Sequence, residues 1–462
     1  MHPSFRLQPI EVSKENPFAN DNLNRKPIVE FVANILGKTG GEPLVLAVDS
    51  PYGTGKSIFV EMLQHELSKK NFQIVHFNAW KADHISDPLI AMVAALDEVF
   101  PKAEGSAAGI GMKEVKKFAT AVIKRAAILG VKVGTGGFVD LPDGIEDAVV
   151  DAATDTATDL IEAFAKEEQA AKCFRIELEK VVANLPVMQK EPTLVFFIDE
   201  LDRCRPDFAM SLLERIKHMF DVPNIAFVLS VDKRQLEAVT AAVYGERIDA
   251  EEYLRKFIDL EFGLPNPPKT EFIKGAIKRA GLNPVFDRRN INERDHIIRF
   301  VSVMSDAYGM SLRAIERSIV RLKLVLSFTP DDHGIYAIHT SLLIVVRSVD
   351  KPMFDKIVNR QIGPLEAMDY FRSLPGGRGK FDAEDGNILE GILIADLWDT
   401  ESINAYRLQQ TTIMQRQDST DANRNNAQHK IAILDSFTRD WGARGRMKRV
   451  AATIDIAANI RD

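Results

Sequence analysis

Five short apolar runs stand out along the chain, each rich in β-branched or aromatic residues and bounded by turn formers. They are 44–48 (LVLAV), 74–77 (IVHF), 194–198 (LVFFI), 225–231 (IAFVLSV) and 257–262 (FIDLEF). Their composition predicts β-strands, and their near-continuous apolarity predicts strands covered on both faces. Between them the apolar positions recur every three or four residues, as in Phe59, Leu63 and Leu67 after the first run and Leu213, Ile216 and Phe220 after the third. That spacing predicts amphipathic helices. Strands alternating with helices predict an α/β fold around a parallel five-stranded sheet.

The stretch from 78 to 193 is much longer than a single crossover helix requires, so a helical insertion is expected at about residues 100–190, with a Gly-rich segment at 134–137 (GTGG). After the fifth run, LPNPP at 264–268 interrupts the pattern, because consecutive prolines neither continue a strand nor enter a helix interior. Helical periodicity without strand runs follows, up to a second break at LPGGRG, 374–379. The expected organisation is a core over 1–265 containing the insertion, a helical lid over 266–373, and a helical C-terminal region over 380–462. That last region holds a Gln/Asn/Thr-rich stretch at 409–428 and a basic cluster of Arg439, Arg444, Arg446, Lys448 and Arg449.

Directly after the first strand comes DSPYGTGKS, 49–57, followed at once by a helical pattern. A phosphate-binding loop needs this context. Gly53 and Gly55 let backbone N–H groups turn inward around phosphates, with Thr54 between them, and the helix N-terminus adds positive potential. Lys56 would reach the β and γ phosphates of ATP, and Ser57 would hold magnesium. The usual pattern has glycine where this chain has Ser50, a position that needs only a tolerable backbone conformation.

In LVFFIDELDR, 194–203, a buried strand delivers Asp199 and Glu200 together to its end. Asp199 suits magnesium opposite Ser57, and Glu200 suits polarising a water toward the γ phosphate. The fourth run ends in Ser230 and Asp232; Asp232 reads either as a nucleotide sensor or as the N-cap of the next helix. Arg255 and Lys256 precede the fifth run, where they read as an arginine finger toward a neighbouring subunit or as a solvated helix end. Arg313 and Arg317 fall on one side of a helix, as a lid sensor or as its polar face.

Composition changes this picture little. Hydrophobic residues are 45% and charged residues 27%, ordinary for a globular protein of 462 residues, a length that suits two or three domains. The net charge of −7 argues against a generally nucleic-acid-coating surface. Cys173 and Cys204 are too few for a disulfide framework or zinc site and suit the cytoplasm. The N-terminus lacks the apolar segment of a signal peptide. The Ala/Gly-rich stretch 107–137 is broken by six basic residues, so no membrane crossing is expected.

Taken together, GTGKS (53–57), FNAW (77–80), IDELDRCRPDFAMSLLERIKHMF (198–220), FVLSVDKRQL (227–236) and YLRKFIDLEFGLP (253–265) resemble the KAP family of P-loop NTPases, over roughly residues 16–325. The resemblance implies an ATP-hydrolysing switch or motor whose fourth strand lies between the P-loop and Walker B strands, giving the order 5-1-4-3-2. It places Asp202 and Arg203 in a DxDR-like signature and Trp80 in the turn after the second strand. It also implies that Leu23, Arg25 and Pro27 shape the adenine side of the pocket. Many similar bacterial proteins carry membrane helices where this chain has a charged insertion, which implies a soluble member. Links of such proteins to plasmid, prophage and phage-exclusion functions imply a role in anti-phage defence.

Three functional classes follow. The first is an ATPase that switches insertion, lid or tail, within a homo-oligomer or with a partner protein. The second is a nucleotide-gated interaction module with little turnover. The third is an ATP-dependent nucleic-acid-binding protein, motivated by the basic cluster with Trp441 inside it. A kinase ranks below these, because adjacent Asp199 and Glu200 suit water activation better than transfer to an alcohol.

Overall fold

The computed structural model describes residues 7–100, 107–133, 157–265, 269–288, 291–329, 336–381, 384–439 and 445–459. The GTGG segment, Trp441 and Arg444 therefore lie outside the described residues. Two compact units emerge, one of residues 12–266 and one of 267–462 with the N-terminal residues up to 11.

In the first unit α1 (Lys26–Leu36) precedes β1 (Leu44–Asp49), and α2 (Lys56–Lys69) leads to β2 (Gln73–Asn78). The short α3 (Ala79–Ala82), α4 (Pro88–Val99) and two long helices, α5 (Ala107–Val133) and α6 (Ala157–Ala183), come before β3 (Leu194–Asp199). Then follow α7 (Pro206–Met219), β4 (Ile225–Val231), α8 (Lys233–Tyr244), α9 (Ala250–Leu254) and β5 (Leu260–Gly263). The strands are parallel in the order β2-β3-β4-β1-β5, so β4 is inserted between β1 and β3 as the family resemblance implies.

Successive side chains of each central strand enter opposite cores. Leu46, Val48, Val195, Phe197 and Val228 meet α1 and α2 through Val32, Leu36, Phe59 and Leu63. Val45, Ala47, Phe196, Ile198, Phe227 and Leu229 meet the helices of the other face, where Phe196 stacks on Phe227 at 5.2 Å between ring centres. Full burial of one such aliphatic or aromatic side chain contributes about 1.5–3 kcal/mol, which is why the strand runs are apolar throughout. The described residues of the insertion are mainly helical: Val115, Val122, Phe174 and Leu178 of α5 and α6 extend this second core. The two helices approach closely at Gly111, where a Cβ would come within 2.6 Å of Val181 Cγ2.

The fifth strand starts three residues later than its apolar run predicts. Phe257 and Ile258 are buried, but their amides bond back to the Leu254 carbonyl at 3.0 and 3.1 Å and extend the last turn of α9. Asp259 N then reaches the Val45 carbonyl at 3.0 Å and opens the ladder with β1.

The described residues of the second unit are helical: α10 (Lys269–Arg279), α11 (Asn283–Arg288), α12 (Ile291–Ala307), α13 (Leu312–Phe328), α14 (Ala337–Val349), α15 (Lys351–Val358), α16 (Pro364–Ser373), α17 (Glu384–Leu397), α18 (Thr400–Gln415), α19 (Asp421–Thr438) and α20 (Arg446–Asn459). Ten consecutive residues of α14, Ala337 to Val346, are buried, and α12, α13 and α20 pack on it. Helices from both sides of the 374–379 break thus share one unit. Buried Asp396 caps α20 by accepting from Met447 N at 2.8 Å and Gly445 N at 3.3 Å, while Arg446 and Arg449 lie over the Tyr336 ring. Among the described residues no helix is long and apolar enough to cross a membrane.

His339, at the start of α14, is 4% exposed and packs edge-on against Tyr336 and Phe437. Burial, with Arg446 adding to it, pulls its imidazole from the ordinary 6.5 down to about 3. The unfolded chain therefore takes up a proton that the folded one refuses, and stability falls as pH drops below about 6.5. At pH 5 this single group should cost about 2 kcal/mol. Thermal unfolding at pH 7.5 and pH 5 checks it: the drop in midpoint should be smaller in His339→Leu than in the native chain.

Candidate functional site

The C-terminal edge of the sheet is where its central strands β1, β3 and β4 turn polar. Asn78, Asp199 and Ser230 sit in register across β2, β3 and β4, and Val48, one residue before Asp49, aligns with Ser230. Beyond Asp49 the loop 50–55 carries the chain into α2. Gly53 (φ 77°) and Gly55 (φ 92°) both take the left-handed conformation that glycine adopts without a Cβ clash. Ser50 needs no such freedom: its N–H donates to the Val231 carbonyl at 3.1 Å, and its hydroxyl is paired with Thr54 Oγ1 at 2.6 Å. The first bond of α2 runs from Phe59 N to the Gly55 carbonyl, so the amides ahead of it face outward at the positive end of the helix.

Lys56 opens α2 with its ammonium donating to the Ser50 carbonyl, 3.9 Å from Asp202 Oδ2 and 5.3 Å from the centre of the Tyr52 ring. Burial pulls Lys56 below the usual lysine range, opposed by Asp202, Asp232, Asp49 and Asp199 in that order. Asp202 is 7% exposed, and burial pushes its carboxyl above the usual range against the Asp232 amide and Lys56. Its Oδ2 accepts from Asp232 N at 2.8 Å, tying the turn after β3 to the end of β4. Its carbonyl accepts from the Tyr52 hydroxyl at 3.3 Å, and burial together with Asp202 pushes that phenol up to about 12.

Glu200 sits in the left-handed region at φ 61°, with its N–H donating to Asp199 Oδ1 at 3.0 Å. Both of its carboxylate oxygens are engaged. Oε2 accepts from Asn78 Nδ2 at 2.9 Å, and Oε1 pairs with Arg203 Nη1 at 2.5 Å. The Arg203 guanidinium lies over Tyr52 and Trp80, 5.4 and 5.7 Å from their ring centres. Burial pushes the nearby Cys204 thiol up to about 12, which makes it a poor nucleophile at neutral pH.

The remaining candidates distribute as follows. Asp232 occupies the N-cap position of α8, but its side chain makes no capping bond there; it faces the Lys56 charge instead. Ser230 Oγ is buried without a hydrogen-bond partner among the described residues. Ser57 is exposed on the first turn of α2. Arg255 and Lys256 are exposed just past α9, Arg255 paired with Glu251 and Glu252 at 3.3 and 3.0 Å and Lys256 over the Tyr253 ring. Arg313 and Arg317 are exposed on α13 in the second unit. Arg25 is buried: it donates to the Pro265 carbonyl at 2.7 Å and the Thr54 carbonyl at 3.4 Å, bracing the loop against the segment after β5.

Sequence reasoning missed Asn78, Tyr52 and Asp49. Asn78 carried a signal, a polar residue ending a strand within FNAW. Asp49 accepts from Lys233 N at 2.8 Å and anchors the start of α8, which nothing in the linear order announces. The donor set fits a magnesium nucleotide: outward amides and Lys56 for phosphate oxygens, and the Ser57 hydroxyl with the Asp199 carboxylate as hard oxygen ligands for the cation.

The KAP family P-loop domain matches residues 25–328. The Phage T7 exclusion protein of Escherichia coli (strain K12) is 25% identical over 166 residues, 35% of this chain, and the chain spans 22% of that protein's length. Two solved structures align over 94% of the chain: the Aeropyrum pernix ORC2 protein in its ADPNP-ADP complexes, 94% covered at 14% identity with a TM-score of 0.34, and Cdc6p from Pyrobaculum aerophilum, 98% covered at 11% identity with a TM-score of 0.34.

Asp202→Ala should leave the Asp232 amide buried without an acceptor and Lys56 without its nearest counter-charge, at a cost of about 1–3 kcal/mol. Asp202→Asn keeps an acceptor and should cost less. Hydrogen exchange of β3 and β4 amides reads the difference; equal protection in the two variants would remove the tie from this role.

Proposed function

Because the chain belongs to the KAP family of P-loop NTPases, we propose that it binds and hydrolyses ATP, using the cycle as a conformational switch or motor. The observation that carries this reading is the convergence of Lys56, Asp199, Glu200 and the Asp202 tie on the N-terminus of α2 at one sheet edge. Magnesium, when bound, would neutralise phosphate charge and orient the γ phosphate. Lys56 exchanges its Ser50 and Asp202 contacts for phosphate oxygens. Ser57 and Asp199 would hold the cation, and Glu200 would take the proton of the attacking water. Arg255 and Lys256, exposed on the first unit, are available to a neighbouring copy; the name of the phage-exclusion relative supports a role in defence.

A second reading is favoured by one observation. Glu200 has both oxygens engaged, by Asn78 and Arg203, so an attacking water must share the carboxylate with these two donors and with the Arg203 charge. Turnover would then be slow until an oligomer or partner protein draws Arg203 away, and the chain would act mainly as a nucleotide-gated interaction module.

Titration with ATP and a phosphate-release assay separate these outcomes. Lys56→Ala should lose nucleotide binding. Glu200→Gln should keep binding and lose turnover by about 100-fold or more. Equal hydrolysis by both variants and the native chain would remove the assignment, and tight binding with negligible release by the native chain would select the gated module. Plating of phage T7 on cells expressing the chain tests the defence role, which predicts reduced plating that Lys56→Ala restores.

A further inference from the structure

Arg203 has more hydrogen-bonding capacity than the sheet edge uses. Its Nη1 pairs with Glu200 at 2.5 Å, and among the described residues the guanidinium meets no second carboxylate. A guanidinium carries five N–H donors in a fixed fork, so most of them are left to water. What holds the group in place is aromatic: its Cζ lies 5.4 Å from the centre of the Tyr52 ring and 5.7 Å from that of Trp80. Neither ring uses up a donor, and the side chain is 33% exposed, so the guanidinium can change its acceptor without leaving its platform.

The place of that platform decides what the second acceptor would be. Tyr52 belongs to the phosphate loop, one residue before Gly53, and the same ring has the Lys56 ammonium 5.3 Å from its centre. Its hydroxyl is tied to the Asp202 carbonyl at 3.3 Å, which fixes the ring between the loop and the acidic turn. Two cations therefore lie against one aromatic residue of the loop: Lys56, whose position in the motif assigns it to the β and γ phosphates, and Arg203. Glu200 is a weak competitor for Arg203, because it offers a single negative charge and shares it with Asn78. A terminal phosphate offers more charge, and its oxygens match the guanidinium fork.

We propose that Arg203 is a γ-phosphate contact within its own subunit: with ATP bound it turns from Glu200 to the terminal phosphate, and with ADP it returns. The exchange relieves Glu200 only when there is a phosphate to cleave, so the nucleotide itself times the activation of water. It also changes the surroundings of Trp80, which is 51% exposed and so carries the ATP state to the surface. The inference rests on the ATP-hydrolysing reading given above.

Calorimetric titration of the full chain with magnesium and either ADP or a non-hydrolysable β,γ-imido analogue of ATP reads the contact without turnover. Arg203→Gln should weaken the analogue about tenfold or more and leave ADP within about twofold. Arg203→Lys keeps the charge without the fork and should fall between, its unchanged ADP affinity reporting an intact loop. Replacing the other two tryptophans (Trp398→Phe, Trp441→Phe) leaves Trp80 as the fluorophore. Its emission should shift with the analogue and not with ADP, and Arg203→Gln should abolish the response. A native chain that binds neither nucleotide overturns the ATP-hydrolysing reading and the proposal with it. A native chain that hydrolyses ATP, while the Arg203 variants weaken both nucleotides alike or neither, or while Trp80 responds equally to both, overturns the proposal alone and leaves Arg203 a structural clamp.

Discussion

Inserting β4 between β1 and β3 forces the ends of four parallel strands to one level while both faces of the sheet stay covered by apolar helices. Polar groups have no place along such strands, so they gather where the strands stop. Asn78, Asp199 and Ser230 align there in register, and Asp202, one turn beyond β3, reaches across to the first amide past β4. That single bond joins the acidic turn to the strand flanking the phosphate loop, and Tyr52 closes the ring by donating to the Asp202 backbone. The loop, the acidic turn and the end of β4 are therefore tied to one another.

Electrostatics narrows which ligand such an edge accepts. Asp49, Asp199, Glu200, Asp202 and Asp232 surround Lys56 and Arg203, leaving an excess of carboxylates. A bare polyphosphate would meet repulsion from them. A nucleotide carrying a divalent cation delivers anionic oxygens to Lys56 and the α2 N-terminus and positive charge to Asp199. Burial sharpens the argument, since Lys56 and Asp202 are each pushed toward their neutral forms and each gains from a compensating charge nearby.

The sheet and its order were legible because burial on two faces leaves an unbroken apolar signature, and because the block after β3 has a family-specific pattern. The start of β5 was not legible: Phe257 and Ile258 are apolar for the core's sake, and apolarity alone does not distinguish a buried helical turn from a buried strand. Within the site, Lys56, Ser57, Asp199 and Glu200 could be read from chemistry and order. The contacts of Asp202 with Asp232, of Asn78 with Glu200 and of Asp49 with Lys233 join residues 30, 122 and 184 positions apart, and only the folded sheet brings them together. Ser50 shows the reverse case: a departure from the motif proves harmless because the backbone there never needs positive φ.

In the second unit the pairing of buried acids shows an order that composition could not. Glu390 collects Lys430, Arg372 and the Tyr406 hydroxyl, and Asp396 collects two amides at the start of α20. Donors are thus supplied where buried acids need them.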